Sequence, residues 1–293
     1  MSKPFHYGGQ AVIEGVMMRG ANAAVTAVRR PNGELAINAE TLPTLYRGWP
    51  RRTPFLRGVI VLIESLALGV KSILFSANAA LGEEEEELSG LTIALMLTLS
   101  LGLAVALFFV TPLVLTRLLL PLVKSTLTFN LVEGIIRLAI FVVYLKVMSL
   151  MPDIRRVFAY HGAEHKTVNA FEAGAPMEVA AIRKYNKAHV RCGTSFLLVV
   201  LVIAIFVFAF VGLPSIAVLV VSRIVLVPVI AALGYEFVHF GADHATNRVV
   251  KALMAPGLML QSLTTREPDD SQIEVAVAAL NKAIEADRAE VVA

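Results

Sequence analysis

Apolar runs too long for a soluble core constrain this chain more than any other feature. Residues 91–120, 131–151, 195–213 and 215–234 are dominated by Leu, Ile, Val, Phe and Ala. About 20 such residues in a helix cross the roughly 30 Å hydrocarbon layer. In lipid, only a helix or a closed barrel satisfies its own backbone. Hydrophobic residues make up 57% of the 293 positions, above the roughly 45–50% of soluble domains. The chain therefore reads as mainly α, a polytopic helical membrane protein. A fifth stretch, 56–81, carries Glu64 and Lys71 at mid-length, and we read it as an interfacial helix that does not cross.

Charge placement orients the spans. Residues 152–194 hold seven basic side chains (Arg155, Arg156, Lys166, Arg183, Lys184, Lys187 and Arg191) against four acidic ones, and Arg47, Arg51, Arg52 and Arg57 precede the interfacial stretch. By the positive-inside rule both regions, and both termini, are expected on the cytoplasmic side. Residues 1–20 lack the apolar core of a signal peptide. The single cysteine, Cys192, excludes an internal disulfide. The net charge is only +3. The bilayer is the expected partner, a homo-oligomer is compatible with the pattern, and no nucleic acid is expected.

Outside the spans, residues 10–40 read as a small β element whose Pro31-Asn32-Gly33 is a hairpin turn. Glu14, set among apolar residues, is expected to pair with Arg19. The run of glutamates at 83–87 reads as a solvated loop. Glu133 and Arg137, four apart, are expected to pair with each other. Arg223 falls inside a span, where a lone charge is costly, so Glu64 and Glu133 are its candidate partners. Ser271-x-x-Glu274 reads as a capping box for a C-terminal cytoplasmic helix with the apolar stripe Ile273, Val277, Leu280 and Ile284. The organisation is then 1–50 (β element), 51–151 (interfacial helix and two spans), 152–194 (cytoplasmic segment), 195–263 (second membrane hairpin) and 264–293 (C-terminal helix).

Chemistry is concentrated in two places. His161-Gly-Ala-Glu164-His165 lies in a stretch read as helical from Asp153 to Ala173. Histidines four apart share a helix face and can reach one ion, and Glu164 beside them suits a general base. The second place is Tyr235–His244, where Glu236, His239 and Asp243 share a face. Together they suggest His161, His165, His239 and Asp243 as metal ligands and Glu164 as the catalytic carboxylate. Glu236, His244, His189 and Cys192 are expected either to support those ligands from behind or to replace one of them. A divalent metal is implied, zinc first and iron second. Glu236-x-x-His239 matches half of a di-iron carboxylate motif, and its second half is absent.

The stretches Gly8–Gly20, Tyr160–Lys166, Arg191–Ser195 and Leu263–Pro268 resemble the YqhQ-like family of bacterial membrane proteins, and the resemblance runs over nearly the whole chain. It implies a multi-pass protein of the bacterial inner membrane and a metal-dependent enzyme, with no reaction attached. The expected function is a membrane-embedded metal-dependent hydrolase with its site at the cytoplasmic face. Peptide, lipid and phosphoester substrates all fit such a site. The competing expectation is a metal-binding transporter or membrane assembly factor, although residues 195–213 offer almost no polar group along which an ion could pass.

Overall fold

The computed structural model describes residues 5–46, 48–81, 89–119, 125–211 and 216–292. The glutamate run at 83–87, the turn at 212–214, Arg47 and the side chain of Arg223 lie outside the described residues.

The chain opens with an antiparallel meander of β1 (Gly8–Val12), β2 (Gly15–Arg19), β3 (Ala23–Arg29) and β4 (Leu35–Thr41), paired in that order. The Asn-Gly turn is where the sequence places it. Gly33 adopts φ +88° and its N–H donates to Arg30 O at 2.9 Å. The β1–β2 turn is less obvious, because Glu14 occupies the left-handed region at φ 52° without being glycine. Its carboxylate accepts from Arg156 and from Tyr160 Oη rather than from Arg19. Arg19 instead donates to Glu64 at 2.8 Å.

Alternation along the strands sends side chains to two faces. Val16, Met18, Val25 and Ala27 pack in one core with α5 (Pro152–Glu172) and α10 (Asp270–Val292). Met17 and Ala24 face the other way, onto Leu68 of α1 (Leu56–Ala79). Polar groups of α1 also turn to the sheet. Ser72 Oγ accepts from Thr26 Oγ1 at 3.1 Å, and Ser76 Oγ accepts from the Ile13 N–H at 3.3 Å. The side of α1 left exposed is apolar, with Ile63, Leu66, Val70 and Ile73. That is the reverse of a helix facing water.

Among the described residues, four helices are long and apolar enough to cross a membrane by length and composition: Leu56–Ala79, Gly90–Leu119, Gly193–Phe210 and Val225–Asp243. A further helix, α4 (Thr126–Met148), meets α5 at a 99° bend. The helix Gly90–Leu119 does not end at Pro112. It comprises α2 (Gly90–Val105), a π-turn (Ala106–Val110) and α3 (Thr111–Leu119). Proline cannot donate to the carbonyl four residues back, here that of Phe108. Arg137 Nε takes that place at 2.8 Å, while its Nη2 pairs with Glu133 as the spacing predicts.

After α6 (Val179–Ile182), α7 (Gly193–Val211) and α8 (Ile216–Asp243) run as a pair. They are followed by α9 (Arg248–Thr264). Asn247 caps α9 by accepting from the N–H groups of Val249 and Val250. The capping box of α10 sits two residues earlier than Ser271 suggests. Asp269 Oδ1 accepts from Gln272 N–H at 2.9 Å, and Asp269 N–H donates to Gln272 Oε1 at 3.0 Å.

Candidate metal centre

The α5 helix positions the first set of groups. Pro152 occupies its first turn, and Gly174 ends it at φ +69°. There the N–H of Ala175 donates back to Ala170 O, and that of Gly174 to Phe171 O, both at 3.0 Å. This paired closure fixes the last turn. His161, Glu164 and His165 then project from one face, with the two imidazole centroids 4.3 Å apart.

Two backbone carbonyls set the imidazoles. His161 Nδ1 lies 2.8 Å from Thr264 O, and His165 Nδ1 lies 2.7 Å from Lys187 O. A carbonyl only accepts, so each Nδ1 carries the hydrogen and each Nε2 presents a lone pair. This is the arrangement by which metal-ligating histidines are usually oriented. Cys192 joins them, its Sγ 3.3 Å from His161 Nε2. The ligand atoms of His161, His165 and Cys192 all fall within 4.8 Å of one another. The Thr194 N–H, in the first turn of α7, donates to Sγ at 3.4 Å.

Glu164 stands beside this group. Its Oε2 is 4.0 Å from His161 Nε2 and 3.9 Å from His165 Nε2, and its Oε1 accepts from the Gly9 N–H at 3.1 Å. Tetrahedral zinc with nitrogen and sulfur ligands needs ligand atoms about 3.3–3.7 Å apart, from bond lengths of about 2.0–2.3 Å. The Cys192–His161 separation fits that range. Glu164 is 3.9–4.0 Å from both imidazoles but is not part of the group that includes Cys192, which suits a neighbour of the ion better than a ligand.

The remaining candidates do not join this group, although the His189 ring lies 5.7 Å from that of His165. His189 is fully engaged as a bridge. Its Nδ1 accepts from the Arg191 N–H at 3.4 Å, and its Nε2 faces Glu172 Oε2 at 3.5 Å. His239 accepts from Arg57 Nη1 at 3.4 Å and has Asp243 Oδ2 at 3.6 Å from its Nδ1. Glu236 is bound to Arg57 and to the Phe55 N–H. His244 bonds the carbonyl of Phe240 at 3.0 Å and stacks on its ring. The His/His/Cys group therefore includes Cys192, and neither His239 nor Asp243 belongs to it.

The sequence reading missed the orienting carbonyls. Thr264, the last residue of α9, and Thr265 belong to the stretch 263–268, which lies against α5. The Arg266 N–H donates to Phe158 O at 2.8 Å, and a Cβ at Gly162 would overlap Arg266 O. Lys187 arrives from the loop after α6.

Glu172 links this region to the amino-terminal segment, pairing with His6, His189 and Arg191. Burial alone would raise its pKa, but the hydrogen bonds from His189 and Arg191 and their charges outweigh it and hold the carboxyl at about 2. A carboxyl depressed in the folded state stabilises above its unfolded pKa. That stability is expected to be lost as pH falls from about 4.5 towards 2. Glu172→Gln should flatten the acid limb of a thermal-melt series over that window, and an unchanged limb would refute the assignment.

The model of a family described as "Protein of unknown function (DUF1385)" matches residues 53–286. The chain is also 35% identical over 300 residues to the "Uncharacterized protein YqhQ" of Bacillus subtilis (strain 168), covering 95% of this chain and 92% of that one. No solved structure matches.

Proposed function

We propose, from the premise that the chain belongs to the DUF1385 family, that it is a membrane-embedded metal-dependent hydrolase. One observation carries the reading. Two imidazoles are oriented by Thr264 O and Lys187 O, His161 Nε2 lies 3.3 Å from Cys192 Sγ, and one ligand atom from each of His161, His165 and Cys192 falls within 4.8 Å of the others. An N₂S donor set suits zinc first and iron second. A divalent metal held there supplies Lewis acidity. Glu164, through Oε2, would take the proton of the attacking water and return it to the leaving group as the scissile bond breaks. The Gly9 N–H fixes its other oxygen. Burial of Glu164 and His165 keeps bulk water from competing for that proton.

A second reading takes Cys192 as a nucleophile and His161 as its base, on the strength of their 3.3 Å contact. It leaves the matching orientation of His165 and the position of Glu164 without a role. Iodoacetamide separates the two. The metal reading predicts that Cys192 alkylates only after chelation, whereas a free nucleophile would alkylate at once.

The membrane reading places the body formed by the sheet, α5 and α10 on the cytoplasmic face of the inner membrane. The helix α1 then lies along the interface, with its apolar side to lipid. The Arg and Lys bias of residues 152–194 supports this. A Lys184→Cys variant is expected to react with a membrane-impermeant maleimide in inverted vesicles and not in intact spheroplasts. The opposite pattern would reject the topology.

A further inference from the structure

Helices α1 and α8 touch at Gly58, where a Cβ would come within 2.7 Å of Ala232 Cα. Beyond this crossing they and the sheet enclose a cleft of ≈ 920 Å³. Its wall carries four guanidiniums, those of Arg19, Arg51, Arg57 and Arg191, against two carboxylates, those of Glu64 and Asp243. The acids that steady Arg57 and Arg191 are Glu236 and Glu172. Neither belongs to the wall, so these two arginines are braced from outside it. Arg19 and Arg51 share the buried carboxylate of Glu64, two cations on one anion. Fixed guanidiniums facing a cleft suit a phosphate group, which accepts several charge-assisted bonds at once.

The surroundings favour a lipid as the source of that phosphate. The walls from α1 and α8 belong to two of the helices apolar enough to cross a membrane. Trp49, the chain's single tryptophan, is 70% exposed and Phe55 is 57% exposed. These two residues bracket Arg51 in sequence and lead into Arg57. Aromatic side chains beside arginines are typical of the headgroup level. The cleft also adjoins the candidate metal centre. Gly9 lines it and donates to Glu164, and Arg191 lines it next to Cys192.

We propose that this cleft binds the phosphate-bearing head group of an anionic membrane phospholipid. Such lipids are then the substrate class of the adjoining centre, a statement that rests on the hydrolase reading, whereas the binding itself does not.

Trp49 reports the binding directly. The intact protein in phosphatidylcholine micelles is titrated with brominated phosphatidylglycerol or brominated phosphatidylcholine, and Trp49 fluorescence is followed. The expected result is several-fold stronger quenching by the anionic lipid at equal mole fraction. An Arg51→Gln/Arg191→Gln double variant should lose that preference. Ser65→Asp should lose it as well. It adds a negative charge to the wall without removing any of the paired side chains, so it covers the case in which the double variant fails to fold. His165→Ala should keep the preference even when metal is lost, which separates failure of the binding proposal from failure of the hydrolase reading. Equal quenching by the two lipids would overturn the proposal. So would a preference that survives Ser65→Asp. Release of the anionic lipid by micromolar glycerol phosphate would assign the cleft to a soluble phosphate compound and overturn the lipid assignment.

Discussion

Glu164→Gln is expected to retain bound metal and to lose turnover by about 10²–10⁴-fold, the usual cost of removing a general base. His165→Ala is expected to lose the metal itself. The contrast follows from position. His165 belongs to the group whose ligand atoms lie within 4.8 Å of one another, and its removal opens the coordination shell. Glu164 Oε2 stands 3.9–4.0 Å from both imidazoles and outside the group that includes Cys192, a position beside the ion and not in its shell. Glutamine preserves the acceptor for the Gly9 N–H but takes no proton at neutral pH. Metal content and release of soluble product from anionic vesicles, measured on both variants, check the assignment. A metal-free Glu164→Gln protein would make Glu164 a ligand and leave the hydrolase reading without its base.

The second large effect is expected at a residue with no reactive atom. Gly162 faces the backbone of residues 264–268 so closely that a Cβ would overlap Arg266 O, with Pro268 Cδ behind it. The obstacle is backbone, and it cannot swing aside like a flexible side chain. Gly162→Ala should therefore cost about 1–3 kcal/mol through overpacking. It should also push the carbonyl of Thr264 off His161 Nδ1, a bond of 2.8 Å. Loss of such an orienting partner typically costs about 10–100-fold in metal affinity. Gly90→Ala is the control, because its Cβ would meet nothing within 4 Å. Thermal melts and competition with a chelator read the two effects separately. A Gly162→Ala protein with unchanged metal affinity would show that the 263–268 stretch does not orient the site.

The helical class, the Asn-Gly hairpin and the His161–Glu164–His165 face were legible because each depends on local spacing. Three and four residues along a helix define one face whatever it packs against. Other features depended on tertiary approach. Spacing placed His239 and Asp243 on one face of α8 but could not say that this face meets Arg57 instead of α5. Cys192 follows a loop, and no periodicity connects it to His161, so its place in the group appears only once α7 is packed. The pairing of Glu14 was misjudged for the same reason. Arg19 is five residues away in sequence, yet it sits across the β1–β2 hairpin from that turn and reaches α1, while Arg156 of α5 reaches Glu14. For α1, apolar composition and a mid-length Glu64 pointed in opposite directions. The structure accounts for both, with Glu64 turned to Arg19 and the apolar side exposed.

X-ray absorption at the metal edge, on protein purified without a histidine tag or added metal, tests the central claim most directly. The predicted spectrum is that of one ion per chain with two nitrogen neighbours at about 2.0–2.1 Å and one sulfur at about 2.3 Å. The sulfur shell should vanish in Cys192→Ser. A protein without stoichiometric metal, or one whose metal has only oxygen and nitrogen neighbours in the wild-type chain, would contradict the assignment of His161, His165 and Cys192 as its ligands.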